Sequence, residues 1–120
     1  NELLDLVGLK DFVEDLPNGI FTKLQTSGLG LASSTRNRIL MARSLAGTPS
    51  LLLLEDNWFD VSQKTRDKWL DNLCFDCGQS VVIATNNVAS LERMDYIYLL
   101  EKGKIIKEGK YADLKKDIPC

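Results

Sequence analysis

Two adjacent carboxylates, Glu55 and Asp56, follow directly on the apolar run Leu51–Leu54, and a second apolar stretch, Ser80–Ala84, ends in the hydrogen-bonding triplet Thr85-Asn86-Asn87. In open parallel sheets, ligands bind beyond the carboxyl ends of the strands, so these two segments are where chemistry is expected. An apolar strand closed by two acids has the makings of a Mg-nucleotide site, with one oxygen ligand near the metal and a second carboxylate to orient water. The chain has no His, which removes the commonest general base and metal ligand. Catalysis therefore falls to carboxylates, thiols or groups borrowed from a partner. Cys74 and Cys77 stand at Cys-x-x-Cys spacing, open to a half zinc site or a redox pair. No second such pair and no His completes four zinc ligands, and the plainer reading is two thiols packing at a helix end. Three cysteines cannot all pair, which points to a reducing cytosol.

The elements that must position these groups are legible from pattern. Glu2–Val7 and Lys10–Asp15 read as short helical turns split by Gly8, stopped at Leu16-Pro17-Asn18-Gly19; Thr22 to Gly30 reads as a loop. Ser33 or Ser34 is the expected N-cap of a helix to Ala46, with Gly47 ending it. Its apolar face is Ile39, Leu40, Ala42, Leu45 and Ala46, and Arg36, Arg38 and Arg43 line the other side as solvated or ion-paired groups. Ser50–Leu54 suits a strand buried on both faces of a parallel sheet. Ser62 caps a helix to about Leu73 that buries Val61, Trp69, Leu70 and Leu73 and exposes Lys64, Arg66, Asp67 and Lys68. Trp58 and Trp69 read as core or interface anchors. Ser80–Ala84 is a second buried strand, Val88–Arg93 a short helix, Tyr96–Leu100 and Lys104–Lys107 a hairpin turning at Gly103, and Tyr111–Lys116 a last helix. Strand, helix, strand, helix, strand is the alternation of an α/β layered fold with a largely parallel sheet.

Composition narrows the class. The 120 residues are 44% hydrophobic and 27% charged, the profile of a soluble globular domain that needs no disulfide or metal staple. Fifteen basic against seventeen acidic residues, interleaved to a net charge of −2, weigh against a nucleic-acid binder. Apolar runs such as Leu51–Leu54 fall far short of the roughly 20 residues that cross a bilayer. The first residue is Asn1, and the stretch reads as a piece of something longer.

Taken in order, Leu16-Pro17-Asn18-Gly19 with Thr22, Leu31 through Ile39, Ala42-Arg43-Ser44-Leu45, Pro49, Leu51–Asp56, Thr85-Asn86 and Gly103 through Gly109 resemble the second half of an ABC transporter nucleotide-binding domain of the exporter branch. The resemblance covers nearly the whole chain. It implies a partial P-loop-NTPase-like layered fold: parallel strands with flanking helices, a piece of helical subdomain at the N-terminus and a C-terminal β-hairpin. Residues 1–47 would be the distal helical subdomain and signature helix. Residues 48–120 would carry the Walker B and switch strands, the hairpin and the last helix.

Several positions depart from the family pattern. The Leu-Ser-Gly-Gly-Gln signature, which meets the γ-phosphate of ATP on the opposite subunit, reads Leu31-Ala32-Ser33-Ser34-Thr35. Ala32 lacks the hydroxyl, and Ser33 and Ser34 place side chains where glycine lets the backbone approach a phosphate. The amides remain, and the two serines either lend hydroxyls to the phosphate or simply cap the helix. Walker B is inverted: Glu55 falls at the Mg position and Asp56 at the water-orienting one. A shortfall of about 1 Å there can cost about 100-fold in rate. Asn86 takes the place of the switch histidine and cannot carry its charge. The D-loop aligns with Phe59-Asp60-Val61-Ser62, so Ser62 replaces its terminal Asp. No Gly-x-x-x-x-Gly-Lys-[Ser/Thr] phosphate loop occurs, and the resemblance places that loop, and the adenine-stacking aromatic, before Asn1.

The resemblance thus implies ATP and Mg as cofactors, and as partners a transmembrane domain and a second nucleotide-binding domain in a homo- or heterodimer. It implies a place at the cytoplasmic face of the membrane within a larger protein, and impaired hydrolysis by this chain's own residues. The alternative is a non-catalytic α/β interaction module that keeps the scaffold without a nucleotide response.

Overall fold

The computed structural model describes residues 2–56, 61–75 and 78–118. The chain divides into two compact units, Asn1–Val82 and Ile83–Cys120.

In the first unit, two short helices, α1 (Glu2–Leu6) and α2 (Lys10–Glu14), are separated by Gly8, whose φ of +72° an L side chain rarely adopts. Single 3₁₀ turns follow at Gly19–Phe21 and Thr26–Gly28, the second inside the stretch expected as loop. Helix α3 (Ser33–Ala46) packs on α1 and ends at Gly47 as expected. Its start differs from expectation: Ala32 is the N-cap, and no side chain caps the helix. Because Ser33 and Ser34 already have helical backbone, neither hydroxyl is placed where an N-cap oxygen accepts from the amides one turn ahead.

Strand β1 (Leu51–Glu55) and strand β2 (Ser80–Ala84) are hydrogen-bonded neighbours, joined through α4 (Gln63–Phe75). The Ser80 amide donates to the Ser50 carbonyl at 2.9 Å. Adjacent strands that meet start to start run in the same direction, as a helical crossover requires. Ser62 caps α4 as its spacing predicts, accepting from the Thr65 amide at 3.3 Å while the Arg66 amide closes the first turn on the Ser62 carbonyl. The unit buries Val7, Leu9, Met41, Leu52, Val61, Trp69 and Leu70.

Two expectations about burial are corrected here. β1 is not covered on both faces: Leu52 is buried, whereas Leu51 and Leu53 are 52% and 69% exposed. Arg66, expected on the solvated face of α4, is only 9% exposed. It lies three residues before Trp69 and four before Leu70, which puts it on their inward face.

In the second unit, Val88–Arg93 forms a 3₁₀ helix, tighter than an α-helix and entered through Asn87, whose side chain accepts from the Ala89 amide. Strands β3 (Ile97–Glu101) and β4 (Lys104–Gly109) pair antiparallel across Lys102-Gly103. Both turn residues have positive φ, +49° and +77°, the combination a two-residue hairpin of this hand requires. The register slips between Leu99 and Leu100, which leaves Ile106 as one extra residue on β4. The last helix, α5 (Tyr111–Leu114), is shorter than its pattern. Ile97, Leu114 and Ile118 form the core, with Val88, Leu91, Met94, Leu99 and Tyr111 packed against it. Among the described residues no helix is long and apolar enough to cross a membrane.

Candidate functional site

The first candidate group is the start of α3. Ala32 is in extended backbone (φ −61°, ψ 149°), and its carbonyl takes the first intrahelical bond from the Arg36 amide at 3.0 Å. That geometry leaves the amides of Ser33, Ser34 and Thr35 without intrahelical acceptors, aimed along the axis at the positive end of the helix dipole. Ala32 and Ser33 are exposed, and Ser34 and Thr35 half-buried. The chain reaches this point through a tight turn: Ser27, Gly28 and Gly30 all have positive φ, and the Leu31 amide donates to the Gly28 carbonyl.

Further along, α3 is fastened by Arg38, whose Nη1 donates to the Gly8 carbonyl at 3.2 Å and whose guanidinium stands 5.9 Å from the centre of the Trp69 ring. Arg38 thereby ties α3 to the α1–α2 joint and to α4. Arg36 and Arg43 are exposed, as expected.

The second group is the end of β1, where the two adjacent acids diverge. Glu55 points outward and is exposed, bordering a shallow recess of about 140 Å³ between α3 and β1 whose other polar edges are Asn37 and Ser44. The Asp56 side chain is only 6% exposed, and Arg66 Nη1 donates to both of its oxygens, at 3.0 and 3.2 Å. A carboxylate held this way has its charge met and its two oxygens engaged by a cation of the same chain. Alternation along a strand explains the split, since neighbouring side chains leave on opposite faces.

The third group belongs to the second unit. Asn86 is exposed, between two residues that shape the loop: the Asn87 amide donates to Thr85 Oγ1 at 2.9 Å, and Asn87 caps the 3₁₀ helix. Asn86 is thus an exposed residue within a hydrogen-bonded turn. Trp58, Cys77 and, from the expected D-loop, Phe59 and Asp60 lie outside the described residues, as does the side chain of Cys74.

With that geometry in place, the likeness to known proteins is direct. A bacterial Atm1-family ABC exporter with ATP bound superposes on 97% of this chain with a TM-score of 0.77, at 24% identity and over 21% of the exporter's own chain. The fold is a mixed α/β fold like that of an ABC nucleotide-binding domain. An export ATP-binding/permease protein of Rickettsia typhi is 30% identical over 118 residues, 98% of this chain. The alpha-hemolysin translocation ATP-binding protein HlyB of Escherichia coli is 30% identical over 110 residues, 91% of this chain. The chain spans about a fifth of the length of these relatives, 20% and 16% respectively. No family model matches it.

The likeness in fold does not account for the environment of Asp56. The residue that sequence reading misplaced is Arg66. Its signal was present in the spacing to Trp69 and Leu70, hidden among the charged neighbours Lys64, Asp67 and Lys68.

Proposed function

We propose that this chain is the distal half of an exporter-type ABC nucleotide-binding domain, coupling ATP bound at a shared interface to transport, with impaired hydrolysis of its own. Residues 1–47 would be the helical subdomain and signature helix, and residues 48–120 the Walker B and switch strands with the hairpin. A transmembrane domain and a second nucleotide-binding domain would complete it at the cytoplasmic face of a membrane. The observation that carries this reading is the uncapped start of α3 at Ala32–Thr35, in a fold shared with an ATP-bound exporter.

Bare amides at the positive end of a 14-residue helix suit a phosphate, so Ser33, Ser34 and Thr35 would hold the terminal phosphate of an ATP carried by the second domain. ATP supplies the charge that draws the two domains together. Glu55 is the exposed carboxylate left to face a Mg ion. Asp56 does not fit the water-orienting role, because both its oxygens are engaged by Arg66. Asn86 at the switch position donates a hydrogen bond without contributing charge.

The test is nuclear magnetic resonance on the labelled chain mixed with a nucleotide-binding domain that carries a phosphate loop. ATP should shift the amides of Ser33–Arg36 in the mixture and leave them unmoved in the chain alone, which should show no turnover. Unmoved amides in the mixture would favour the interaction-module alternative. Saturable turnover by the chain alone, abolished in Asp56→Ala, would overturn the reading of impaired hydrolysis.

A further inference from the structure

β1 ends at Glu55 and α4 begins at Gln63, and one side chain grips the polypeptide on both sides of the connection between them. Arg66 Nη1 holds the Asp56 carboxylate before the connection, and Arg66 Nε donates to the Val61 carbonyl after it, at 3.3 Å. All three partners are withdrawn from water: Arg66 is 9% exposed, Val61 8% and the Asp56 side chain 6%. The planar guanidinium offers several donors in fixed directions, so one group can serve a carboxylate and a carbonyl at once; a lysine ammonium is a compact point charge on a flexible stem. The helix carrying Arg66 is itself anchored at Ser62, and Trp69 and Leu70 on the same face are buried. The clamp therefore sits on a rigid base.

We propose that Arg66 is a positioning residue that ties the start of α4 to the end of β1, with Asp56 as its anchor, and so sets how Val61 and Ser62 are presented to a second nucleotide-binding domain. The clamp itself stands on the contacts above; its last clause rests on the proposed function. It gives Asp56 a role that its place after a strand did not reveal. The carboxylate holds the chain in shape, and its negative charge is what makes the guanidinium worth burying.

The experiment is a double-mutant cycle in the 120-residue chain, followed by urea unfolding, with amide hydrogen exchange across Val61–Arg66. Asp56→Asn and Arg66→Met should each lower the folding equilibrium about 100-fold or more, because each breaks a buried charge pair, and the pair together should lose much less than the product of the two. Effects that multiply independently would overturn the clamp. Arg66→Lys keeps the charge and should remain folded, yet exchange at Val61–Thr65 should rise about tenfold as the second grip is lost; unchanged exchange would also overturn it. Association with a phosphate-loop-bearing domain in the presence of ATP should weaken about tenfold in Arg66→Lys. Equal association by Arg66→Lys and the parent would sink the presentation clause. Failure of the parent chain to associate at all would instead sink the nucleotide reading, while the double-mutant coupling would still decide for or against the clamp.

Discussion

Arg38 joins three elements through one guanidinium, and its loss should be felt as a loss of packing between them. Arg38→Ala removes the bond to the Gly8 carbonyl and the contact over Trp69, and should cost about 1–2 kcal/mol in urea unfolding. Gly8→Ala should cost a similar 1–2 kcal/mol by a different route: φ is +72°, and an added Cβ would sit 3.1 Å from Arg38 Nη1. Tyr96 supplies a pH-dependent counterpart in the second unit. Its hydroxyl donates to Glu108 Oε1 at 3.2 Å, and partial withdrawal from water, then the Glu108 charge and that bond, raise its pKa above the ordinary 10.0. The folded state thus favours the neutral phenol, and the stability it contributes is present below pH 10 and lost as pH rises through the raised value. Titrating phenolate absorbance should show a late step from Tyr96, moved back toward the ordinary value in Glu108→Gln. At this scale the sequence revealed which groups carry chemistry but not their company. Glu55 and Asp56 are equal as letters, and only the strand's alternation and a residue ten positions on separate the exposed acid from the buried one.

Capping distinguishes the two long helices. α4 is closed by Ser62, and Ser62→Ala should cost about 1 kcal/mol; α3 has Ala32 at the same position, and Ala32→Ser should gain about 0.5–1 kcal/mol, both read from urea midpoints. The β3–β4 turn has similar room for improvement. Lys102 is a non-glycine residue at φ +49°, and Lys102→Asn should raise stability by about 0.5–1 kcal/mol, since asparagine tolerates the left-handed region far better. Element order and type were readable because each depends on local pattern: Gly47 as helix end, Ser62 as cap, Gly103 as turn. The starts that misled were those where two candidates compete locally, as Ser33 and Ser34 did with Ala32.

Across the whole molecule, the α/β alternation and the ordered motifs were enough to expect an exporter-type ABC fold, whereas burial was not, because it depends on neighbours the pattern of one strand cannot name. β1 shows this: Leu51 and Leu53 alternate with the buried Leu52, and Leu53 is 69% exposed. On β2, Val82 is also open to solvent. Apolar strand residues left uncovered promote self-association, so sedimentation of the chain should show concentration-dependent oligomers that diminish in Leu53→Thr/Val82→Thr. The hairpin of the second unit carries a different legacy in its bulge. Ile106 is the extra residue between Ile105, which faces Leu100, and Lys107, which faces Leu99. Deleting it would restore an unbroken ladder and leave every other side chain on its present face. For an evolving lineage, β4 thus contains a spare position, a place inside a strand where a codon can be lost without scrambling the hairpin.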